Sequence, residues 1–169
     1  MGATSEYQLI SDAVEFTLSH AQKIENQIVE ALQTSAATGY VNVLRMLTMQ
    51  SVIVAIGTFQ AFEGLLQQQK GWKDTFKELD GCLRANGNVN LADRFVDYRD
   101  AINVLKHGDG RSYDKLVARR DSLPFLVKDK GQRFFDEGDV SEGIQLVDAN
   151  HEFVRQCSEI VQEVVQALR

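Results

Sequence analysis

The sequence has very little proline and cysteine, and it lacks a secretory signal pattern. One proline in 169 residues, with 44% hydrophobic residues, argues against a disordered chain and favours long uninterrupted helices. Cys82 and Cys157 are the only cysteines, and their spacing is not that of a metal site. We therefore expect free thiols in a reducing environment and a cytoplasmic protein.

Long apolar runs without charge are also missing. The most apolar stretch, residues 41–66, contains Arg45 and Glu63, so we expect no membrane span. The net charge of −6 argues against a general binder of nucleic acids or membrane surfaces. Residues 106–133 differ from the rest, because eight Lys and Arg stand there against four Asp, a net +4. This basic segment is either an ordinary solvated surface or a face for an anionic ligand.

Apolar residues recur at helical spacing over most of the chain. Ser5 and Gln8 form a capping box that starts the first long helix. We expect Asn90 to cap the fourth helix, Ser112 to cap a short basic helix, and Asp148 or Asn150 to cap the last. The expected long or well-marked helices cover about residues 7–34, 41–69, 72–85, 91–107 and 151–168.

Three short apolar runs lie between the basic helix and the last helix. They are 123–127, 132–135 and 144–147, and they are separated by charged, glycine-containing turns. This pattern predicts one or two short strands. The predicted fold is therefore all-α. It is one domain, 1–169, built as an up-and-down bundle of four to five main helices with a short β-hairpin-like insertion before the C-terminal helix.

The second long helix carries small residues on one side. Gly57, Ala61 and Gly64 are spaced i, i+4, i+7, and a helical glycine costs about 0.8–1 kcal/mol relative to alanine. Close approach of a neighbouring helix explains such a pattern. The wide apolar circumference of this helix places it at the centre of the bundle or against a second subunit, and we expect a homodimer.

Titratable and polar residues line up beside the core on the fourth helix. Arg99, Asn103 and His107 are four residues apart and stack as one stripe that turns toward solvent at His107. Gly108 and Gly110 then end the helix. An imidazole can move a proton near neutral pH, and a fixed cation can oppose charge on a phosphate.

Residues 51–63 and 99–108 together resemble HEPN domains, the higher-eukaryote and prokaryote nucleotide-binding family. The family signature is an Arg, commonly followed by a polar residue, with a His a few residues later near a helix end. Arg99-Asp100 resembles its start and His107-Gly108 its end. Seven residues separate Arg99 from His107, where the family usually has four to six.

The resemblance implies a dimeric helical bundle and a metal-independent endoribonuclease of a toxin or defence system. It implies RNA as substrate and an antitoxin or another protein as partner, with no cofactor and no metal. The implied catalytic residues are His107 for proton transfer, Arg99 as the fixed cation, Asn103 as an orienting group and Glu63 as the acidic residue of the preceding helix. The nucleic-acid-binding residues expected beside them are Lys106, Arg111 and Lys115.

A second interpretation needs no catalysis. In it the chain is a non-catalytic dimeric helical module that binds protein or nucleotide, Arg99 pairs with Asp100 or Glu63, and His107 is favoured at the helix end by the helix dipole. His20 and His151 lie beside apolar stripes and are expected at the rim of the core. Residues 136–139 are acidic but lack the ligand spacing of a calcium loop, so we expect a turn there.

Overall fold

The computed structural model describes residues 5–34, 38–132 and 146–169, and these residues form an all-helical fold. Within them there are six α-helices and one 3-10 turn, which covers Arg120–Ser122. The predicted all-α class is confirmed, and the helices are one more than the upper number expected. The helices are α1 (Glu6–Leu32), α2 (Thr38–Lys70), α3 (Thr75–Ala85), α4 (Val89–His107), α5 (Arg111–Val117) and α6 (His151–Ala167).

Helices α1 and α6 begin where their capping residues predict. The Ser5 hydroxyl accepts a hydrogen bond from the Gln8 backbone N–H at 3.2 Å. The Gln8 side chain does not return to Ser5 and instead donates to Asp12 at 2.9 Å, so half of the capping box forms. At α6 the Asn150 side-chain oxygen accepts from the Phe153 N–H at 2.9 Å.

Two other predicted caps are wrong. Asn88 is the N-cap of α4, so Asn90 lies inside the first turn. Gly110 is the N-cap of α5, so Ser112 lies inside the first turn, where its hydroxyl donates to Asp100 of α4 at 2.9 Å. The buried carboxylate is a strong acceptor for this hydroxyl.

Helix α1 runs antiparallel to both α2 and α6. The hydroxyl of Tyr7, at the start of α1, donates to Gln69, at the end of α2, at 2.8 Å. Gln162, near the end of α6, donates to the Tyr7 carbonyl at 2.7 Å, whereas His151, at the start of α6, meets Gln22 near the far end of α1 at 3.0 Å. These contacts give the up-and-down arrangement that was predicted.

Phenylalanine side chains join α2 to α4 in the core. The rings of Phe59 and Phe95 are stacked with centroids 5.4 Å apart, and Phe62 meets Phe95 edge-on at 6.0 Å. All three side chains are almost fully buried. Aromatic pairs of this geometry add to the hydrophobic stabilisation of burial, so they hold α4 firmly at one side of the bundle.

Helix α2 is central, because it contacts α1, α3, α4 and α6. Its other side faces solvent. Among the described residues it is the one helix long and apolar enough to cross a membrane by length and composition, and 28% of its most apolar window is buried in the fold. Core helices of soluble proteins pass the same test, so the expected absence of a membrane span stays a prediction.

The predicted β-hairpin does not form in the described residues. A single antiparallel bridge joins Val127 to Val147, with Lys128 N–H donating to the Leu146 carbonyl at 3.0 Å. On the side toward Pro124 and Asn150 pairing does not continue, since Pro124 has no N–H to donate and Asn150 already caps α6. Most of the second predicted run, and the acidic turn at 136–139, lie outside the described residues.

The two cysteines are free and differ in exposure. Cys157 on α6 is fully buried, and burial raises the pKa of its thiol well above the usual value. Cys82 on α3 is partly exposed, and its sulfur accepts from the Asn86 side-chain amide at 3.8 Å. The fold therefore contains one shielded thiol and one accessible thiol.

Candidate functional site

The predicted site lies on the last two turns of α4, which ends as expected. The Gly108 N–H donates to the Val104 carbonyl at 2.7 Å, and Gly108 has a φ of 73°. This left-handed backbone is strained for a side-chain-bearing residue, so glycine is what lets the chain leave the helix here. The helix stop after His107 thus follows from local sequence.

The stripe of Arg99, Asn103 and His107 turns from the core to the solvent. Arg99 and Asn103 are half-buried, whereas His107 is exposed at the helix end. Within the described part of the chain, neither Asn103 nor His107 makes a side-chain hydrogen bond or ion pair. His107 is therefore open to solvent at the end of α4.

The Arg99 guanidinium faces a carboxylate from its own helix. Its Nη2 is 4.0 Å from Oδ1 of Asp100, and its side chain is 25% exposed. Glu63, the acidic residue expected to hold Arg99 or His107, lies half-buried on α2. Among the described residues no hydrogen bond or ion pair joins Glu63 to Arg99, Asn103 or His107. The structure thus brings three of the four expected catalytic residues onto one face and leaves Glu63 unconnected to them.

Asp100 is a buried carboxylate at the centre of this region, and from the sequence we expected of it only a pair with Arg99. Its side chain is 5% exposed. It accepts from the Ser112 hydroxyl at 2.9 Å and lies 3.7 Å from Nζ of Lys115. A buried carboxylate needs such partners, because an isolated charge in the interior is very costly. Asp100 therefore fastens α5 to α4.

Asp97 makes a second link one turn earlier. It is 8% exposed and accepts from Nη2 of Arg119 at 2.7 Å. Burial raises the pKa of Asp97, and the nearby carboxylate of Asp100 adds to this, while Arg119 lowers it. Burial is the larger effect, so the carboxylate of Asp97 is held in a site that disfavours its charge.

The signal for both links was present in the sequence. Asp97 and Asp100 are three residues apart on α4, and they alternate with the buried Ala101 and Val104 on the same side. On the following segment Ser112, Lys115 and Arg119 recur at intervals of three and four residues. Matching acidic and donor stripes on consecutive helices predict an ion-paired helix junction.

Most cations of the basic segment are paired inside the chain. Lys115 and Arg119 contact the acids of α4, as described above. Arg120 pairs with Asp129, and Lys130 with Asp109. Lys106 and Arg111 are exposed on either side of the Gly108 turn. Of the three expected nucleic-acid-binding residues, Lys115 is therefore engaged by Asp100, and Lys106 and Arg111 face solvent.

The described residues contain no group of three or more His, Cys, Asp and Glu side chains that could hold a metal ion. The chemical groups available at the end of α4 are therefore an imidazole, a guanidinium, an amide and two ammonium or guanidinium groups. Such a set can bind an oxyanion and exchange a proton with it.

Comparison of this chain with protein-family models, with curated proteins and with solved structures finds no match.

Proposed function

We propose that this chain is a non-catalytic helical interaction module that forms a homodimer through the outward side of α1 and α2. The observation that carries the proposal is a set of large apolar side chains, each at least 40% exposed, on these two helices. We call this set the apolar face. Its members are Leu9, Phe16 and Ile24 on α1, and Met46, Met49 and Ile53 on α2; Val29 of α1 is also 48% exposed but lines a separate cleft and is not counted with them.

The outward sides of α1 and α2 meet at a groove. A shallow groove of about 400 Å³ runs between the helices and is lined by Leu9 and Ala13 of α1 and by Gly57 and Ala61 of α2. Soluble monomers rarely expose a large continuous apolar surface. A partner that covers this groove together with the outward sides of both helices would remove the six large apolar side chains from water.

The small-residue stripe of α2 favours a close helical partner. A Cβ atom added at Gly57 or at Gly64 would meet nothing within 4 Å. Helix packing inside the chain therefore does not explain these glycines, although each lowers helix stability. A helix of another molecule that packs closely against α2 would account for these glycines.

A second copy of the chain is the occupant that we propose. The face carries little charge, since Glu6 is the one charged residue that lines the groove, and Ala13, His20 and Gln60 are uncharged. A surface with so little charge can lie against its own copy about a twofold axis with little repulsion. The chain as a whole is acidic, with a net charge of −6, which makes it poorly suited to an anionic membrane.

Sedimentation equilibrium of the wild type and Ile53→Asp tests the dimer. We expect the wild type to be a dimer at micromolar concentration. A charge at the centre of the interface should weaken the affinity of the dimer by about a hundredfold or more. Val89→Asp is the matched control, because Val89 is 48% exposed but lies at the start of α4. A wild type that stays monomeric, or that binds zwitterionic vesicles as a monomer, contradicts the proposal.

A second candidate function is the metal-independent endoribonuclease that the HEPN resemblance implies. It is favoured by the exposed His107 between Lys106 and Arg111, with Arg99 and Asn103 on the same face. In this proposal His107 takes the proton of a ribose 2′-hydroxyl while the 2′-oxygen bonds to phosphorus and the P–O5′ bond breaks. The leaving 5′-oxygen takes a proton from water, and Arg99 stabilises the charge on the phosphate oxygens. The toxin or defence role, the cytoplasmic location and an inhibitory protein partner belong to the same proposal.

RNA cleavage by the purified chain in EDTA distinguishes the two functions. The ribonuclease proposal expects products that end in 2′,3′-cyclic phosphate, and a loss of at least about a hundredfold in rate for His107→Ala. His20→Ala is the control, since His20 is also exposed on a helix but lies on α1. Equal rates for wild type and His107→Ala, or no cleavage at all, support the non-catalytic module.

A further inference from the structure

A cleft lies at the other end of the bundle, between α1, α2 and the start of α6. Its volume is about 540 Å³, within the range of about 300–1,000 Å³ that small-molecule sites occupy. One wall is apolar and is made by Val29, Leu44 and Leu47. The polar residues of the lining include Glu25, Asp148 and His151. The cleft is separate from the α4 residues described above.

The described residues that line the cleft include three carboxylates and no lysine or arginine. Two of these carboxylates are met by cations from outside the lining. Glu152 accepts from Arg155 at 3.0 Å, and Lys128 lies near Asp148. Glu25 has no such cation among the described residues, because its neighbours are the Gln22 amide at 3.1 Å and His151 at 3.5 Å. Glu25 is therefore the strongest open acceptor in the cleft.

The hydrogen bonds of Gln22 orient His151. The Gln22 side-chain nitrogen donates to Glu25 at 3.1 Å and to Asn26 at 3.0 Å, so its oxygen must be the atom that meets Nδ1 of His151 at 3.0 Å. Nδ1 then carries the proton, and Nε2 of the neutral ring is an acceptor. Nε2 has no hydrogen-bond partner among the described residues.

Ser51 adds an independent sign of a ligand. It is 4% exposed and lines the cleft from α2. Unlike Thr48 and Thr58 on the same helix, which donate to the carbonyls four residues earlier, its hydroxyl makes no hydrogen bond to any described residue. No described side-chain N or O atom is both sealed from solvent and without a hydrogen bond, so the unpaired hydroxyl of this otherwise buried residue is open to the cleft and can meet a ligand there.

We propose that this cleft binds a primary ammonium group that carries a short apolar chain. The ammonium has three N–H donors and no acceptor, which matches Glu25, Nε2 of His151 and the Ser51 hydroxyl. The apolar chain lies against Val29, Leu44 and Leu47. A carboxylate ligand is repelled by the same wall, and a neutral alcohol cannot make the charge-assisted bond to Glu25.

Isothermal titration of the full chain with n-hexylamine tests the site, with n-hexanol and hexanoate as neutral and anionic controls of equal length. We expect n-hexylamine to bind at least about tenfold more tightly than n-hexanol, and hexanoate not to bind. Glu25→Gln should weaken n-hexylamine by about tenfold and Ser51→Ala by several-fold. Glu30→Gln and Ser19→Ala, which change exposed residues of α1 outside the cleft, should bind as the wild type does.

The same ammonium chemistry has two sources, a free amine or a lysine of a partner protein. Nα-acetyl-lysine N-methylamide separates them, because tighter binding of this probe than of n-hexylamine indicates a protein lysine. Glu25-dependent binding of either probe supports the proposal. It is overturned if neither probe binds up to millimolar concentration, if n-hexanol binds as well as n-hexylamine, or if Glu25→Gln and Glu30→Gln behave alike.

Discussion

In folded proteins most large apolar side chains are buried and most charged ones are exposed. The apolar face of α1 and α2 and the junction of α4 with α5 depart from this rule in opposite directions. The first leaves Phe16 and Ile53 more than 60% exposed, and the second buries the carboxylates of Asp97 and Asp100. At the junction the partners of the buried charges lie within the same chain. At the apolar face no such partner is found among the described residues. One region is complete as it folds, and the other is the region where we propose that a second copy binds.

This difference separates two kinds of unusual residue. A buried charge with its hydrogen bonds satisfied is explained by the fold, and it adds specificity more than stability. An exposed apolar cluster is not explained by the fold, because every side chain in it loses the stabilisation of burial. The three predictions below test this contrast, and they go from the largest to the smallest expected change in stability.

Removal of the buried carboxylate should destabilise the junction most. Asp100→Ala should lower the free energy of unfolding by about 2–3 kcal/mol, since it leaves Ser112 without its acceptor and Lys115 without its countercharge. Urea unfolding measures this change. Asp93→Ala is the control, because Asp93 is 53% exposed and pairs with Arg84, and it should cost less than about 1 kcal/mol. Equal costs would contradict the role given to Asp100.

Asp97 should give stability a pH dependence of defined sign. Burial raises its folded pKa above the unfolded value of about 4, so the folded state binds more protons between the two values and stability falls as the pH rises through that interval. The Asp97→Asn variant has no carboxyl group at this position, so it lacks this pH-dependent contribution. The stability of the wild type relative to Asp97→Asn should therefore decrease with rising pH, by about 1.4 kcal/mol for each unit by which the pKa is raised.

Asp129→Asn gives the opposite sign and serves as the control for Asp97→Asn. The hydrogen bond from Arg120 lowers the pKa of Asp129, so its contribution is present above the unfolded pKa and is lost as the pH falls through the folded one. Relative to Asp129→Asn, the wild type should gain stability with rising pH. Urea unfolding of both variants at several pH values measures the two trends, and trends of the same sign would refute the assignment for Asp97.

Truncation of the apolar face should change the monomer least. Under dilute conditions Phe16→Ala and Ile53→Ala should each alter the free energy of unfolding by no more than about 0.5 kcal/mol, because both side chains are largely in water. At high protein concentration the wild type should gain stability and the variants should gain less. A loss as large as that of Asp100→Ala in the dilute samples would mean that these side chains pack within the chain.

Local signals predicted the long helices well. Ser5 and Asn150 mark their helix starts because an N-cap bond joins residues three apart in sequence, and Gly108 ends α4 because its backbone angle disfavours other residues. The helical spacing of the apolar residues in α1, α2 and α6 predicted the helical bundle. These features depend on neighbours along the chain, so the sequence alone determines them.

Features that depend on distant partners were predicted poorly. Ser112 looked like a cap, but its hydroxyl bonds to Asp100 on another helix. Val127 and Val147 looked like parts of a hairpin, yet they pair for one residue only. In the candidate site, the face shared by Arg99, Asn103 and His107 followed from helical spacing, whereas the lack of contact between Glu63 and these residues depends on how α2 packs against α4.

The unequal burial of the two cysteines provides a way to measure how the bundle opens. A thiol-alkylating reagent should modify the accessible Cys82 at once, whereas Cys157 is both sealed in the core and held in its unreactive protonated form. The second alkylation must therefore wait until α6 leaves the bundle. Its rate, read by mass spectrometry, reports how readily α6 opens under conditions that do not denature the protein.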